Sequence, residues 1–498
     1  MKTLNYNTLE ELGNEAFVLK EAPEGILQFG EGNFLRGFVN YFVDILNEEQ
    51  GFNSKVVVVQ PIANGLADLL NKQEGLYNLY LRGFENGETV DQKRLISCIS
   101  RAINPYSDYD AYLENAKNPD LRFIVSNTTE AGITYTAGDQ LTDTPASSFP
   151  AKLTQLMYER FKLFGNEKGK GFVILSCELI DNNGAELKKC VDKYAKAWQL
   201  GEAFEAWLAA ENIFCSTLVD RIVTGYPRAE AEKLNAENGY EDNLLDTAEV
   251  FGFWVIEGPQ SLYDELPIKG TDLPIVIADD HTPYKKRKVR ILNGAHTSMV
   301  LAAYLAGQDI VRDCMEDETI VTFMQKTVFD EIIPTLTLPK EELLSFAEAV
   351  IERFKNPFID HALLAISLNS VSKWRARVLP SMKAYIEKYN KLPKHIVFSF
   401  AALLAFYTGE EIRDGALIGS REGSDYKIVD DQPILEYCAA HSKTLSTEDY
   451  VKGFASNVNF FGEDLTQYEG FAEATAEYLT AIRAAGMRKE MERLIEGE

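Results

Sequence analysis

The segment Lys288-Val289-Arg290-Ile291-Leu292-Asn293-Gly294-Ala295-His296 holds an amine, a carboxamide and an imidazole at offsets of five and three residues. Those groups suit the reduction of a ketone. Hydride delivery to a carbonyl carbon builds negative charge on oxygen, and that oxygen must also receive a proton. Lys288 can supply the proton, while the Asn293 amide and the His296 imidazole can hold the oxygen. If the stretch is helical throughout, Asn293 and His296 share a face, Lys288 stands a turn and a half away, and the three could line one cleft. Lys285, Lys286 and Arg287 precede Lys288, and neighbouring like charges lower a lysine's pKa toward the range where a general base works best. Each feature also has a plainer explanation: a basic run is usually a solvated face, Asn-Gly a turn, and a lone histidine structural.

A second set of residues could hold a dinucleotide. Ile26-Leu27-Gln28-Phe29-Gly30-Glu31-Gly32-Asn33-Phe34-Leu35-Arg36-Gly37 places two close glycines between an apolar run and an amphipathic one. Glycine lets backbone approach a pyrophosphate, and the N–H groups of a starting helix carry partial positive charge toward it. The spacing departs from G-x-G-x-x-G because Leu35 holds the third glycine position and Gly37 follows an arginine. A glycine turn without a ligand is the alternative. Phe29, Gly30, Gly32, Asn33, Phe34 and Arg36 are the expected contacts. The next apolar run ends at Gln60, where an acidic residue would normally hold the ribose; a glutamine can still bond a 2′-hydroxyl, so NAD is expected over NADP. Ser126-Asn127-Thr128-Thr129-Glu130 ends another such run and adds Asn127, Thr128 and Glu130, although a polar loop with a capping threonine explains it equally well.

The elements that must position these groups show in the patterning. Apolar, β-branched runs at 25–29, 55–60, 121–126, 172–176 and 274–278 alternate with amphipathic stretches at 33–47, 151–164 and 185–198. This predicts βαβ units in a mostly parallel sheet covered on both faces. After about residue 290 helical spacing takes over, in 319–333, 340–353, 395–408 and 470–495. The fold class expected is α/β: a Rossmann-like doubly wound domain over 1–284, then a mostly α-helical domain over 285–498. A chain of 498 residues agrees with two domains, since single cores stop growing near ~250 residues.

Composition narrows the function classes. A net charge of −26 opposes nucleic acid and anionic lipid as partners, and no large basic patch offsets it. The longest apolar stretch, 396–407, is about half of the ~20 residues a membrane span needs. The first twenty residues lack the order of a signal peptide, so a cytoplasmic location is expected. The six cysteines, without C-x-x-C spacing, are expected to be reduced, and only five histidines are available for function. Asp279, Asp280 and His281 could imitate a metal site, but a polar turn before Pro283 accounts for them, and no metal is expected. The oligomeric state is not set by any residue pattern.

Lys-x-x-x-x-Asn-x-x-His entering a helical domain after a G-x-G-x-x-x-R loop resembles the mannitol dehydrogenase family. The resemblance runs in order through 26–38 (ILQFGEGNFLRGF), 126–133 (SNTTEAGI), 215–228 (CSTLVDRIVTGYPR), 288–296 (KVRILNGAH) and 353–357 (RFKNP). It implies an NAD-dependent, metal-independent enzyme interconverting D-tagaturonate and D-altronate, with Lys288 as general acid/base, Asn293 stabilising the alkoxide and His296 binding the reacting oxygen. The family's second oxyanion asparagine lies in a Cys-Asp-Asn segment, where this chain has Cys177-Glu178-Leu179; Asn183 is nominated in its place, though an asparagine before glycine is commonly a turn. A small sugar acid as partner would need a cation for its carboxylate. Lys373, Arg375 and Arg377 form one cluster, with Lys373 and Arg377 on one helical face, and Arg353 and Asn356 are further candidates. Fructuronate or mannitol reduction would use the same chemistry. A catalytically silent nucleotide-binding protein is the rival from another class, against which the joint presence of Lys288, Asn293 and His296 argues.

Overall fold

The structure is a computed structural model and describes residues 1–497. The chain divides into two compact units, the first comprising Met1–Arg82 and Val90–His281, the second Gly83–Thr89 and the chain from Thr282 onward. The division falls three residues before the expected one. It also hands the second unit a short hairpin tip that hydrophobic patterning could not reveal.

The first unit is built on an eight-stranded sheet. Its strands, in chain order, are β1 (Glu24–Phe29), β2 (Lys55–Val59), β3 (Ile99–Ile103), β4 (Phe123–Ser126), β5 (Val173–Ser176), β6 (Ile213–Asp220), β7 (Phe253–Glu257) and β8 (Ile275–Ala278). Their spatial order is β8-β7-β6-β5-β4-β1-β2-β3. All pairs are parallel except β6 with β7. The five strands legible from apolar runs are all present. β2 shows why: Lys-Val-Val-Val-Val is buried along its whole length, and β-branched side chains suit a strand covered on both faces. β1 registers with β2 on one side (Leu27 with Val57) and β4 on the other (Leu27 with Ile124). The chain order reverses there, so the carboxyl ends of β1 and β4 flank the crevice where such sheets bind ligands. One expected helix is two: α1 (Asn33–Gly37) and α2 (Val39–Gln50) meet at a break at Phe38. Helices α3 (Phe149–Phe164) and α4 (Asn183–Ala197) follow as patterned. A small sheet of strands 77–85, 88–96 and 246–249 was not foreseen.

The second unit is mostly helical. It contains α5 (Thr282–Arg287), a π-helical turn over Lys288–Asn293, α6 (Gly294–Leu305), α7 (Lys340–Phe354), α8 (Ser370–Arg377) and α9 (Lys394–Phe406) among its helices. α9 is the apolar stretch noted above; it is buried almost throughout, and Trp374 Nε1 donates to its Ser399 Oγ at 3.1 Å. Its start is capped by Glu331, whose carboxylate accepts the backbone N–H groups of His395 and Ile396, each at 2.9 Å. The 470–495 stretch is broken at Gly486, which takes φ +92. A three-stranded sheet of 412–413, 416–421 and 424–428 also escaped the patterning. Among the described residues no helix is long and apolar enough to cross a membrane.

Candidate active site

In the first unit the loop after β1 is a tight turn that glycine makes possible. Gly30 has φ +122, and a Cβ there would meet the Asn127 carbonyl at 3.1 Å and Leu35 at 3.2 Å. At Gly32, which precedes α1, a Cβ would meet nothing within 4 Å, so the backbone there is open to a ligand. Gly32 and Asn33 are exposed and Phe34 half-buried, stacked on Phe38 with centroids 5.1 Å apart. The facing loop after β4 is fixed by Glu178. Its carboxylate accepts from Ser126 Oγ at 3.1 Å and from both the N–H and the Oγ1 of Thr128 at 3.0 Å. Burial raises the Glu178 pKa. Asn127 Nδ2 donates to the Cys177 carbonyl at 2.7 Å, and Glu130 is exposed at the rim.

Several residues expected to touch the cofactor have other work. Phe29 is buried in the core against Tyr112 and Phe149, so its side chain lines no crevice. Arg36 is 2% exposed. Its guanidinium donates to the carbonyls of Glu31 (3.2 Å) and Leu244 (2.6 Å) and to Asn33 Oδ1 (2.7 Å), so it braces the loop from behind instead of meeting phosphate. Gln60 is also committed: its amide N–H groups go to the carbonyls of Ile62 (2.8 Å) and Ala63 (3.0 Å), and its Oε1 takes the Ala67 N–H (3.2 Å). It folds the loop after β2 and has no free donor for a ribose. Asn183 is 1% exposed; Nδ2 bonds the carbonyls of Glu178 (2.9 Å) and Thr217 (3.1 Å), and Oδ1 accepts from Gly184 (2.8 Å) and Thr217 (2.9 Å). With both ends of the amide occupied it is a lock between α4 and β6, not an oxyanion donor. If the family's Cys-Asp-Asn segment is laid on Cys177-Glu178-Leu179, its asparagine falls on Leu179, which is 68% exposed.

Asp246 supplies a pH test of this scaffold. It is buried, its Oδ2 has no hydrogen-bond partner, and burial pushes its pKa up to about 7 against the pull of Arg36. A raised acid favours the folded state most below its unfolded pKa, and that contribution is lost as pH rises through about 7. Chemical denaturation should therefore show Asp246→Asn gaining stability over the parent by about 1 kcal/mol per pH unit as pH rises across that window. A difference independent of pH would contradict the assignment.

The remaining expected residues lie in the second unit. Lys288 and Asn293 begin and end the π-helical turn. Five residues along an α-helix are about 140° apart around the axis, whereas i→i+5 bonding brings them one turn apart, onto nearly the same side. The π-turn therefore places positions 288 and 293 on nearly one side of the helix, which regular helix would not. Beyond it, Thr297 Oγ1 and Ser298 Oγ return to the carbonyls of Asn293 and Gly294, each at 2.8 Å. His296 stacks on Phe354 with centroids 4.1 Å apart and planes at 8°. Its Nε2 is buried without a hydrogen-bond partner. Burial, helped by the charges of His361, Arg353, Arg377 and Lys373, drives its pKa down to about 3, so the imidazole is neutral at working pH.

The same interactions show which cations gather there. Lys373 and Arg377 share a face of α8 and both act on His296; Lys373 Nζ bonds the Ile366 carbonyl at 2.8 Å, and an Arg377 NH1 lies 3.4 Å from Thr297 Oγ1. Arg353 joins them from the end of α7. Arg375 is exposed and is not among these cations, because two positions along a helix turn it off the shared face. Asn356 is buried and turns the chain after α7, its Oδ1 accepting the Phe358 N–H at 2.9 Å. Asp280 and His281 close the first unit beside Glu257; one ligand atom from each lies within 4.8 Å of the others, and His281 Nδ1 is 2.5 Å from Glu257 Oε2.

This arrangement agrees with what the chain is similar to. Two family models match in succession, the mannitol dehydrogenase Rossmann domain over residues 24–270 and the mannitol dehydrogenase C-terminal domain over residues 280–483. The chain belongs to the mannitol dehydrogenase family, and is a dehydrogenase acting on a CH–OH group of a polyol or sugar acid. The altronate oxidoreductase of Pectobacterium carotovorum subsp. carotovorum (strain PC1) is 47% identical over 490 residues, 97% of this chain and 99% of that one. That of Escherichia coli O7:K1 (strain IAI39 / ExPEC) is 47% identical over 495 residues, 98% and 99% of the two chains. Among solved structures, Pseudomonas fluorescens mannitol 2-dehydrogenase, in a ternary complex with NAD and D-mannitol, shares the fold over 100% of both chains with a TM-score of 0.66 and 22% identity. A substrate-free D-sorbitol dehydrogenase does so over 99% of this chain and 100% of its own, with a TM-score of 0.76 and 22% identity.

Proposed function

We propose that this chain interconverts D-tagaturonate and D-altronate with NAD as the nucleotide cofactor. The observation that carries the reading is the setting of His296: a neutral imidazole with an unpartnered, buried Nε2, beside Lys288 and Asn293 in sequence and under the charges of Arg353, Lys373 and Arg377. That combination offers a site for a reacting oxygen next to a site for a carboxylate. Two relatives 47% identical to this chain over nearly their whole length are altronate oxidoreductases, which supports the same substrate pair.

In the reductive direction Lys288 gives its proton to the oxygen on which charge develops, and takes it back in oxidation. The Asn293 amide holds that oxygen with an N–H, and His296, in its Nε2–H tautomer, holds it with a second. Neither has to change charge, so both are preorganised for the alkoxide. Arg353, Lys373 and Arg377 bind and orient the acid end of the sugar by charge-assisted hydrogen bonds. In the first unit Gly30, Gly32, Asn33 and Phe34 on one loop, and Asn127, Thr128 and Glu130 on the other, fit a dinucleotide, since a side chain at Gly30 would close the turn and none fills the space at Gly32. When bound, NADH supplies the hydride. The loop after β2, Gln60-Pro61-Ile62-Ala63-Asn64-Gly65-Leu66-Ala67-Asp68, contains no lysine or arginine. A 2′-phosphate would find no cation there, which favours NAD over NADP. Six free cysteines support a reducing, cytoplasmic location.

Following NADH and NADPH oxidation by absorbance with D-tagaturonate, D-fructuronate and D-fructose tests the reading. Turnover of D-tagaturonate with NADH should exceed every other combination. Preferred turnover of D-fructuronate or D-fructose would keep the chemistry and overturn the substrate.

A further inference from the structure

His361 brings one more titratable side chain to the group around His296. The two imidazoles meet edge to face, with centroids 5.5 Å apart and planes at 86°. The backbone that carries His361 is pinned. The Val311 N–H donates to the His361 carbonyl at 3.0 Å and the Leu363 N–H to the Asp309 carbonyl at 2.8 Å. Arg312 clamps the same loop through the Pro357 carbonyl (2.9 Å) and the Asp360 carboxylate (2.7 Å). The side chain itself is exposed. A rigidly mounted but solvent-facing imidazole contributes little to a core and is well placed for a ligand.

The groups facing it are mostly cationic. Lys373 acts on it from α8, and His296 stands against it from α6. Arg377 and Arg353 act with it on His296. Of the acids nearby, Asp360 pairs with Arg312, and Asp430 accepts the Val371 N–H at 3.1 Å and the Tyr407 hydroxyl at 2.5 Å while also acting on Lys373. Such a concentration of positive charge, in a chain of net charge −26, calls for an anion.

We propose that His361 is a specificity-determining residue whose imidazole, with Lys373 and Arg377, takes the carboxylate of the acidic sugar and so separates uronates from uncharged ketoses. This rests on the keto-uronate reductase reading given above. Although its outer side faces solvent, the packing of its inner side against its neighbours, together with the Lys373 charge, lowers the His361 pKa below its ordinary range. A bound carboxylate reverses that balance, so uronate binding draws in a proton and weakens as pH rises. An uncharged ketose gains nothing from the proton and shows no such trend.

The test compares the full-length protein with His361→Gln and His361→Arg, measuring kcat and KM for D-tagaturonate and for D-tagatose between about pH 5.5 and 8.5. The expected result is that His361→Gln raises the uronate KM about tenfold at the acid end, flattens its pH dependence, and leaves kcat within about twofold and the ketose KM unchanged. His361→Arg should keep the uronate KM low and make it independent of pH. An unchanged uronate KM in His361→Gln overturns the proposal, as does a fall in kcat at constant KM, which would make His361 a support for His296. If the parent protein turns over no uronate at all, the reductase reading falls separately. His361 is then judged by calorimetry of D-tagaturonate binding in two buffers of different ionisation heat: proton uptake in the parent that is lost in His361→Gln upholds it, and equal affinity and uptake in both overturns it.

Discussion

Lys288→Ala should lower kcat by about 10²–10⁴-fold while leaving the dissociation constant for NADH within about twofold. The range is what a positioned proton donor contributes when it acts at the moment charge forms on oxygen. Lys288 is half-buried at the first position of the π-turn, and none of the residues assigned to the nucleotide belongs to that turn. Cofactor binding and chemistry should therefore separate. Single-turnover mixing of NADH-loaded protein with substrate, alongside a fluorescence titration of NADH, measures the two independently. Lys288→Arg should restore little, because a guanidinium does not release its proton near neutral pH. Full residual activity in Lys288→Ala would remove the lysine from the mechanism.

Asn183→Ala should cost about 3–5 kcal/mol of stability and little of the chemistry. The side chain makes four hydrogen bonds from a fully buried position, two as donor and two as acceptor. Truncation takes this partner from the Gly184 and Thr217 N–H groups and from the Thr217 carbonyl, between the start of α4 and β6, while the Glu178 carbonyl keeps the Ile180 N–H at 2.8 Å. The contact is close: a Cβ on the next residue, Gly184, would lie 2.4 Å from the Cys215 backbone, so the helix cannot shift inward to compensate. Thermal unfolding of the variant should move well below the parent, with kcat per folded molecule nearly unchanged. A large loss of kcat at intact stability would return Asn183 to the oxyanion.

That contrast shows what the sequence made legible. The strands that carry the nucleotide loops were plain because β1, β2, β4 and β5 are buried on both faces and so read as mostly apolar runs. The change to helix after about residue 290 was equally plain, and the α/β class with its helical second part stands. The first small sheet escaped because its strands do not read as apolar runs: 88–96 is Glu-Thr-Val-Asp-Gln-Lys-Arg-Leu-Ile, with only its last two residues buried, and 246–249 is buried yet reads Asp-Thr-Ala-Glu. Site residues were legible by type and not by direction. Gln60 and Arg36 sit at the right positions for a cofactor, yet both turn to neighbouring carbonyls. Which way an amide or guanidinium points is decided by partners far off in sequence, such as Leu244 for Arg36. Glu178 was missed for the same reason, since its task depends on a loop fifty residues earlier. The π-turn had no signature at all. Its effect was visible only as three chemically suitable residues at a spacing that a regular helix would have left with Lys288 turned away from Asn293 and His296.

The most direct test of the central claim is to supply NADH deuterated at the transferable position together with D-tagaturonate and to follow the label by NMR. The account predicts D-altronate carrying deuterium at the carbon that had been the ketone, formed by the parent protein and lost in Lys288→Ala. Product without the label, a different aldonate, or equal labelling in the Lys288→Ala protein would contradict it.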